Sequence, residues 1–313
     1  VRQDIRIGID VGGTFTDFVL FEPQKSRFAF HKQQSTPEDP ARAVAEGLIQ
    51  LLKNNALQPE NIGLIVHGTT IGLNALLQRR SAPQALVVTR GFRDMLNIGR
   101  ARLPSSFDFQ AACETPLVPR EQVLELNARF TPEGEISLWP DDNEFDNLAE
   151  SIRGLQVEAV TISTLNGYAN PEQEQKLADA LASRLDGISI QSAATLWPEI
   201  REYERTLLAC LNSGIQPLMT RYFDRLTSRF SDAGIDAPLL ISASNGGVIP
   251  LVSARQRPVE TLLSGPASGA IGAARLVEKA GGGGFISFDM GGTSSDISLS
   301  AHGDVERVAR TDI

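Results

Sequence analysis

Cysteine is almost missing from this chain: two in 313 residues, Cys113 and Cys210, far apart. That excludes a zinc site built on cysteine pairs. It also leaves no disulfide framework, the usage expected of a reducing, cytoplasmic compartment. No apolar run reaches the roughly 18 residues that span a bilayer. No block of lysine or arginine occurs and the net charge is −9, so nucleic acid and anionic membranes are not expected as partners. Arg2, Asp4 and Arg6 run straight into a strand, which is not the start of a signal peptide. Two nucleotide motifs are absent as well. No Gly-Lys-Ser/Thr of a Walker loop follows a glycine turn, and the first strand turn lacks Gly-x-Gly-x-x-Gly. What remains, 42% apolar and 21% charged residues, is the composition of a soluble globular protein with length enough for two cored domains.

Two segments are near copies of each other. Asp10-Val-Gly-Gly-Thr-Phe-Thr-Asp17 and Asp289-Met-Gly-Gly-Thr-Ser-Ser-Asp296 share Asp, Gly, Gly, Thr and Asp at matching positions. Each lies between two apolar β-type runs, the layout of a β-hairpin. Gly12-Gly13 and Gly291-Gly292 have no Cβ, so a backbone there can take up positive φ and approach a phosphate chain closely. Thr14 and Thr293 add hydroxyls, with Thr16 and Ser294 just beyond. Asp10 and Asp289 end apolar strands. A carboxylate there does not bind phosphate, but it can hold Mg²⁺, which takes one or two carboxylates plus phosphate oxygens. One of the two could also orient water or accept a proton. The paired motif points to a nucleoside triphosphate and its metal: ATP with Mg²⁺ at Asp10 and Asp289, and phosphate contacts at Gly12, Gly13, Thr14, Thr16, Gly291, Gly292, Thr293 and Ser294.

Strands alternate with helices along the chain, which predicts an α/β protein with a mixed sheet. Residues 5–32 read as three antiparallel strands. Asp39 and Pro40 suit N-cap and N1 of a helix carrying Val44, Leu48 and Leu51 on one face. Leu64 to Val66 and Ala85 to Thr89 read as strands. Residues 91–140, with Pro104, Pro116, Pro119 and Pro132, read as an irregular inserted segment. A strand is expected at Ala159 to Ser163, then a helix from Pro171. Residues 198–230 suggest one or two helices interrupted near Gly214 and Pro217. Ser264 starts a helix to about Lys279, and Gly281 to Gly284 join it to the second hairpin.

A pair of Gly-Gly-Thr hairpins in an α/β chain resembles the actin, sugar-kinase and heat-shock-protein ATPase superfamily. Within it the chain is similar to the hydantoinase A/oxoprolinase family. The resemblance is carried by Gly8 to Asp17, Val66-His-Gly-Thr-Thr70 with Asn74 to Leu77, Thr89 to Asp94 with Ile98 to Arg100, and Pro116 to Arg120. It continues through Glu202-Tyr-Glu-Arg-Thr206, Ser244 to Val248, Leu263-Ser-Gly-Pro-Ala267 and Phe288 to Ser295. It covers essentially the whole chain, in the family's order. It implies an actin-like, ribonuclease H-like mixed sheet with flanking helices. It also implies ATP-dependent phosphorylation of a cyclic amide oxygen, followed by ring opening on a B-type partner subunit. Ketone carboxylase subunits of the same family imply an alternative, phosphorylation of an enol. Phosphoryl transfer of either kind asks for positioning and charge neutralisation. The family continues beyond the second hairpin, so the chain reads as a fragment or shortened protein with its second lobe largely truncated. The resemblance divides it into an N-terminal domain, 1–180, and the start of a second, 181–313.

Departures from the family pattern fall at Gly72 and Leu73, at Gly167-Tyr-Ala-Asn-Pro171 and at Ala128, all in the presumed substrate half. They suggest unchanged ATP chemistry and a changed or lost substrate. His67 reads either as a cleft donor or proton shuttle, or as a structural histidine. Gly68, Thr69, Thr70 and Asn74 form the candidate substrate-binding set, with helix capping as the other role for the threonines. Arg90, Arg93 and Arg100 read as anion clamps or as surface ion pairs. Ser264 lacks a Gly-x-Ser-x-Gly elbow and reads as a helix start. Two other readings compete: a small-metabolite kinase, and a non-catalytic nucleotide-binding subunit.

Overall fold

The computed structural model describes residues 4–101, 107, 108, 110, 115–290, 295–301 and 305. In chain order the first elements are β1 (Ile5–Val11), β2 (Phe15–Glu22), β3 (Arg27–Gln34), α1 (Pro40–Asn54), β4 (Ile62–Thr69), α2 (Ile71–Leu77), β5 (Gln84–Thr89) and α3 (Met95–Ile98). The middle holds β6 (Val123–Leu126), β7 (Arg129–Phe130), β8 (Ile136–Leu138), α4 (Asp142–Leu155), β9 (Ala159–Ser163), α5 (Pro171–Ala182), β10 (Ser189–Ser192), α6 (Ala193–Leu196) and α7 (Glu202–Asp232). The last are β11 (Leu239–Ser242), β12 (Val248–Pro250), α8 (Leu251–Gln256), α9 (Ser264–Lys279), β13 (Phe285–Met290) and β14 (Ser295–Ser300).

The chain forms two compact units, one of residues 1–79 with 218–313 and one of residues 80–217. β11 pairs in parallel with β4 and so returns the chain to the first sheet. That six-stranded sheet has the order β12-β11-β4-β1-β2-β3. β1, β4 and β11 are parallel, and β2 runs against β1 and β3. Strict alternation along β1 sends Ile5, Ile7, Ile9 and Val11 to one face. Phe18 and Leu20 of β2 join them under α1, whose own stripe is Val44, Leu48, Leu51 and Leu52. Each such aliphatic side chain stabilises by about 1.5–3 kcal/mol when fully buried.

The second unit is a four-stranded parallel sheet, β10-β9-β5-β6. Its central strands β5 and β9 are buried along their whole length because both faces are covered. Phe145, Leu148 and Ile152 of α4 and Leu177 and Leu181 of α5 pack on one face. Leu86 and Val88 turn to a second cluster with Leu96, Val118 and Cys210.

Three expectations are corrected. The segment 91–140 is not irregular throughout: it supplies β6, which extends the parallel sheet, and the β7–β8 hairpin. Short strands between prolines gave no readable period. α7 is one helix of 31 residues that contains Pro217. Proline forfeits its N–H and crowds the carbonyl four residues back, yet α7 continues through Pro217, and Gly214 does not break the helix because it serves close packing. A Cβ there would lie 2.9 Å from Gln84 Nε2, and the Gly214 carbonyl accepts from Ala82 N–H at 2.7 Å. Third, Asp39 precedes α1 but its side chain makes no cap, and it pairs instead with Arg229 of α7.

Candidate functional site

The first glycine turn closes tightly. Gly12 N–H donates to the Phe15 carbonyl at 3.0 Å, and a Cβ on Gly12 would sit 3.1 Å from that oxygen. The close approach, rather than a positive φ, is what requires glycine at this position. Gly13 and Thr14 are exposed at the tip. Thr16 is not: it is fully buried, and its hydroxyl lies 3.0 Å from Ser35 Oγ.

Asp10 stands on the face of β1 opposite the isoleucines, reached by solvent yet closely surrounded by protein groups. Beside it in register is Gly68 of β4, where a Cβ would come within 3.1 Å of Asp10 Oδ1 and 3.9 Å of Ser242 Oγ. The carboxyl ends of β1, β4 and β11 therefore meet around one carboxylate, the end of a parallel arrangement where ligands bind in open α/β sheets. Thr69 is buried and accepts from Ile71 N–H at 3.2 Å, which supports the start of α2. Thr70 donates from both its N–H and its hydroxyl to the Val11 carbonyl, each at 3.1 Å, and its hydroxyl accepts from Asn74 Nδ2 at 3.2 Å. The His-Gly-Thr-Thr segment is thus joined to the first turn.

His67 lies on the other face of β4 and is fully buried, its Nε2 2.6 Å from the Tyr222 hydroxyl. Burial pushes the His67 pKa down to about 4, against a weaker upward pull from the Ile9 carbonyl. Burial, with the nearby Asp39 charge, raises that of Tyr222. Two neutral groups therefore share one hydrogen bond inside the core, away from the open face that carries Asp10.

The second hairpin repeats the first in register. Asp10 pairs with Asp17 across β1–β2, and Asp289 pairs with Asp296 across β13–β14. Residues 291–294, which include Gly291, Gly292, Thr293 and Ser294, lie outside the described residues. Asp289 is nonetheless near enough to act on Asp10. The Asp10 pKa is raised first by desolvation, then by the charges of Asp17 and Asp289, with Lys32 pulling the other way. Lys32 itself is held by Asp17 at 2.8 Å. Among the described residues no group of three or more His, Cys, Asp or Glu side chains is arranged to hold a metal by itself. A Mg²⁺ ion needs only one or two protein carboxylates when phosphates supply further oxygens. The uncompensated charge at Asp10 and the glycine-lined turn beside it fit such a metal–phosphate pair.

The second unit gathers other motif residues at the carboxyl edge of its own sheet. Glu174, fully buried, accepts from Thr164 N–H (2.7 Å), Thr164 Oγ1 (2.6 Å), Ser192 Oγ (2.9 Å) and Ala194 N–H (2.7 Å). Arg205, also fully buried, donates to the carbonyls of Glu199 (2.6 Å) and Thr164 (3.1 Å) and lies over the Tyr168 ring. Sequence reasoning missed Glu174; a lone glutamate on the inner stripe of α5 was the available signal. Arg90 lies 3.8 Å from Glu144, Arg93 donates to the Arg120 carbonyl, and Arg100 pairs with Glu204, so all three have protein partners. Ser264 begins α9 without a capping bond. Burial pushes the Cys210 thiol up to about 12, which makes it inert, and Cys113 lies outside the described residues. Among the described residues no helix is long and apolar enough to cross a membrane.

Known proteins share this arrangement. The family model for the hydantoinase/oxoprolinase N-terminal region matches residues 6–185, and the model for hydantoinase/oxoprolinase matches residues 205–313. Caprolactamase subunit alpha of Pseudomonas jessenii is 34% identical over 308 residues, 96% of this chain and 44% of that protein. The crystal structure of the ATP-dependent caprolactamase from that organism aligns over 94% of this chain and 43% of its own, with a TM-score of 0.82 at 33% identity. 5-Oxoprolinase 1 of Arabidopsis thaliana is 29% identical over 100% of this chain and 27% of its own length. The nucleotide-free structure of acetone carboxylase, an ATP-dependent enzyme, covers 97% of this chain and 45% of its own, with a TM-score of 0.86 at 27% identity. The chain spans less than half the length of these relatives. Its mixed sheet, its paired aspartate–glycine hairpins and these matches together make the chain a member of the hydantoinase/oxoprolinase family.

Proposed function

We propose that this chain is the ATP-using part of an enzyme that phosphorylates and opens a cyclic amide of the hydantoin or 5-oxoproline type. It would work with a B-type partner subunit, in the cytoplasm, on an actin-like ATPase fold. The observation that carries the reading is the repeated Asp-x-Gly-Gly-Thr hairpin, with the charge of Asp289 reaching Asp10. Names of the relatives support the reaction class: caprolactamase and 5-oxoprolinase act on cyclic amides, as their names state.

In this reading Asp10 and Asp289 hold Mg²⁺, which supplies neutralisation of phosphate charge when bound. The turn of Gly12, Gly13 and Thr14 takes one part of the phosphate chain, and Gly291, Gly292, Thr293 and Ser294 take the other. Thr16 braces the first turn from below. Gly68 leaves room for the Asp10 carboxylate, while Thr69, Thr70 and Asn74 fix the end of β4 on the substrate side. His67 acts through β4, since its ring is closed off beneath the sheet. The terminal phosphoryl group passes from ATP to the amide oxygen and ADP leaves. Water then adds to the carbon, the C–N bond breaks with the nitrogen leaving as an amine to open the ring, and a second water cleaves the remaining acyl phosphate to the carboxylate and phosphate. Phosphorylation matters because an amide carbonyl resists water until its oxygen becomes a leaving group.

The test is ATP-dependent phosphate release by the protein with its B-type partner, offered hydantoin, 5-oxoproline, caprolactam, or a ketone with bicarbonate. Release stimulated by a cyclic amide is expected, and Asp10→Ala should abolish it in a folded protein. Stimulation by ketone and labelled bicarbonate alone would move the chain to the carboxylase branch. Wild-type turnover in Asp10→Ala would sink the assignment of Asp10.

A further inference from the structure

We propose that Ser35, which lies outside the glycine motif, is a positioning residue that sets which amides of the first turn face a phosphate group. The inference rests on the reading of that turn as a phosphate site and names what shapes it.

Ser35 follows β3 and is nearly buried. It grips the turn at two points: its N–H donates to the Thr14 carbonyl at 2.9 Å and its Oγ donates to the Gly12 carbonyl at 2.9 Å. A hydroxyl has one proton. With that proton on Gly12, the 3.0 Å contact with Thr16 Oγ1 has Thr16 as donor. The result is a directed relay from Thr16 to Ser35 to the Gly12 carbonyl. From the other side Thr70 takes the Val11 carbonyl with two donors.

A trans peptide is planar, with its C=O and N–H pointing in opposite directions. Drawing the Gly12 carbonyl toward Ser35 therefore turns the Gly13 N–H away from it, and drawing in the Thr14 carbonyl does the same for the Phe15 N–H. Gly13, Thr14 and Phe15 are the exposed residues of the turn. Inward carbonyls and outward amides are what an anion requires of a backbone loop. Glycine permits the close turn; Ser35 and Thr70 decide which way its dipoles point. Without the Ser35 hydroxyl the Gly12–Gly13 peptide is free to rotate and present its carbonyl to the ligand, where it repels phosphate.

The experiment measures binding of Mg·tripolyphosphate and Mg·ATP, with adenosine as a control that lacks phosphate. Ser35→Ala should weaken both phosphate ligands about tenfold, the scale of one hydrogen bond, and leave adenosine binding unchanged. Ser35→Thr, which keeps the hydroxyl, should restore affinity. A purely structural role for Ser35 would move all ligands together. If the wild type binds and Ser35→Ala binds equally well, the positioning role is overturned while the phosphate reading stands. If the wild type binds neither phosphate ligand, both fall. Should Ser35→Ala fail to fold, Thr16→Val breaks the same relay one step earlier and must weaken the phosphate ligands selectively, or the proposal is wrong.

Discussion

Acidification should unfold this protein through His67. The folded ring has a pKa of about 4, and its ordinary value is 6.5. Between those two values the unfolded chain binds a proton that the folded chain refuses, so stability rises with pH across the window and is lost as pH falls through it. The linkage gives a loss of about 2 kcal/mol at pH 5 and about 3 kcal/mol at pH 4, with almost none at pH 7. That is a sizeable share of the roughly 5–15 kcal/mol that holds a domain together. Asp10 works in the opposite sense, because its folded pKa is raised, so the raw pH profile mixes the two. The comparison with His67→Gln removes the mixture. Urea unfolding of both proteins from pH 7.5 to pH 4, followed by circular dichroism, should show the wild type losing about 3 kcal/mol relative to the variant. A constant difference across that range would refute the reasoning, as would an imidazole resonance that titrates above pH 6 in the folded protein.

Further outcomes follow from other groups. Asp10→Asn should gain stability at neutral pH while losing ATP turnover, because the carboxylate is held above its ordinary pKa by desolvation and by Asp17 and Asp289; a fall in melting temperature at pH 7 would contradict this. Glu174→Gln should destabilise the second unit by about 2–4 kcal/mol, since an amide NH₂ would face hydrogen-bond donors in a buried site. Thermal unfolding followed by circular dichroism reads that loss. Arg205→Met should unfold or strongly destabilise the same unit, because the carbonyls of Glu199 and Thr164 lose their buried donor; unchanged protease resistance would count against it.

Much of this arrangement was legible in the sequence because it is local. The alternation of Ile5, Ile7 and Ile9, Pro40 at the start of α1, the first Asp-x-Gly-Gly-Thr turn and the strand pair that flanks the second motif each state their structure within a few residues. What was not legible depends on distant partners. Ser35 lies 23 residues from Gly12 and carries no motif of its own. His67 stayed open between cleft and core until Tyr222, 155 residues away, was seen against its ring. An interruption was expected near Gly214 and Pro217 because the local rule for proline is strong, yet α7 continues through both. Likewise β6 went unread between prolines, because only its pairing with β5 gives it away.

The repeat of the two hairpins has a consequence for handling the protein in solution. Residues 279 positions apart occupy equal places in the two registers: Ile7 and Ile286, Ile9 and Phe288, Phe18 and Ile297, Leu20 and Leu299. In the first hairpin these side chains are 0–4% exposed under α1, whereas Ile286, Phe288, Ile297 and Leu299 are 61–77% exposed. An open apolar face on a two-stranded sheet is a sticky surface, and among the described residues β13 and β14 pair only with each other. Concentrated solutions of this polypeptide should self-associate through β13 and β14. Charged replacements at Phe288 and Leu299 should keep it dispersed at little expense to the fold, since so much of each side chain already lies in water.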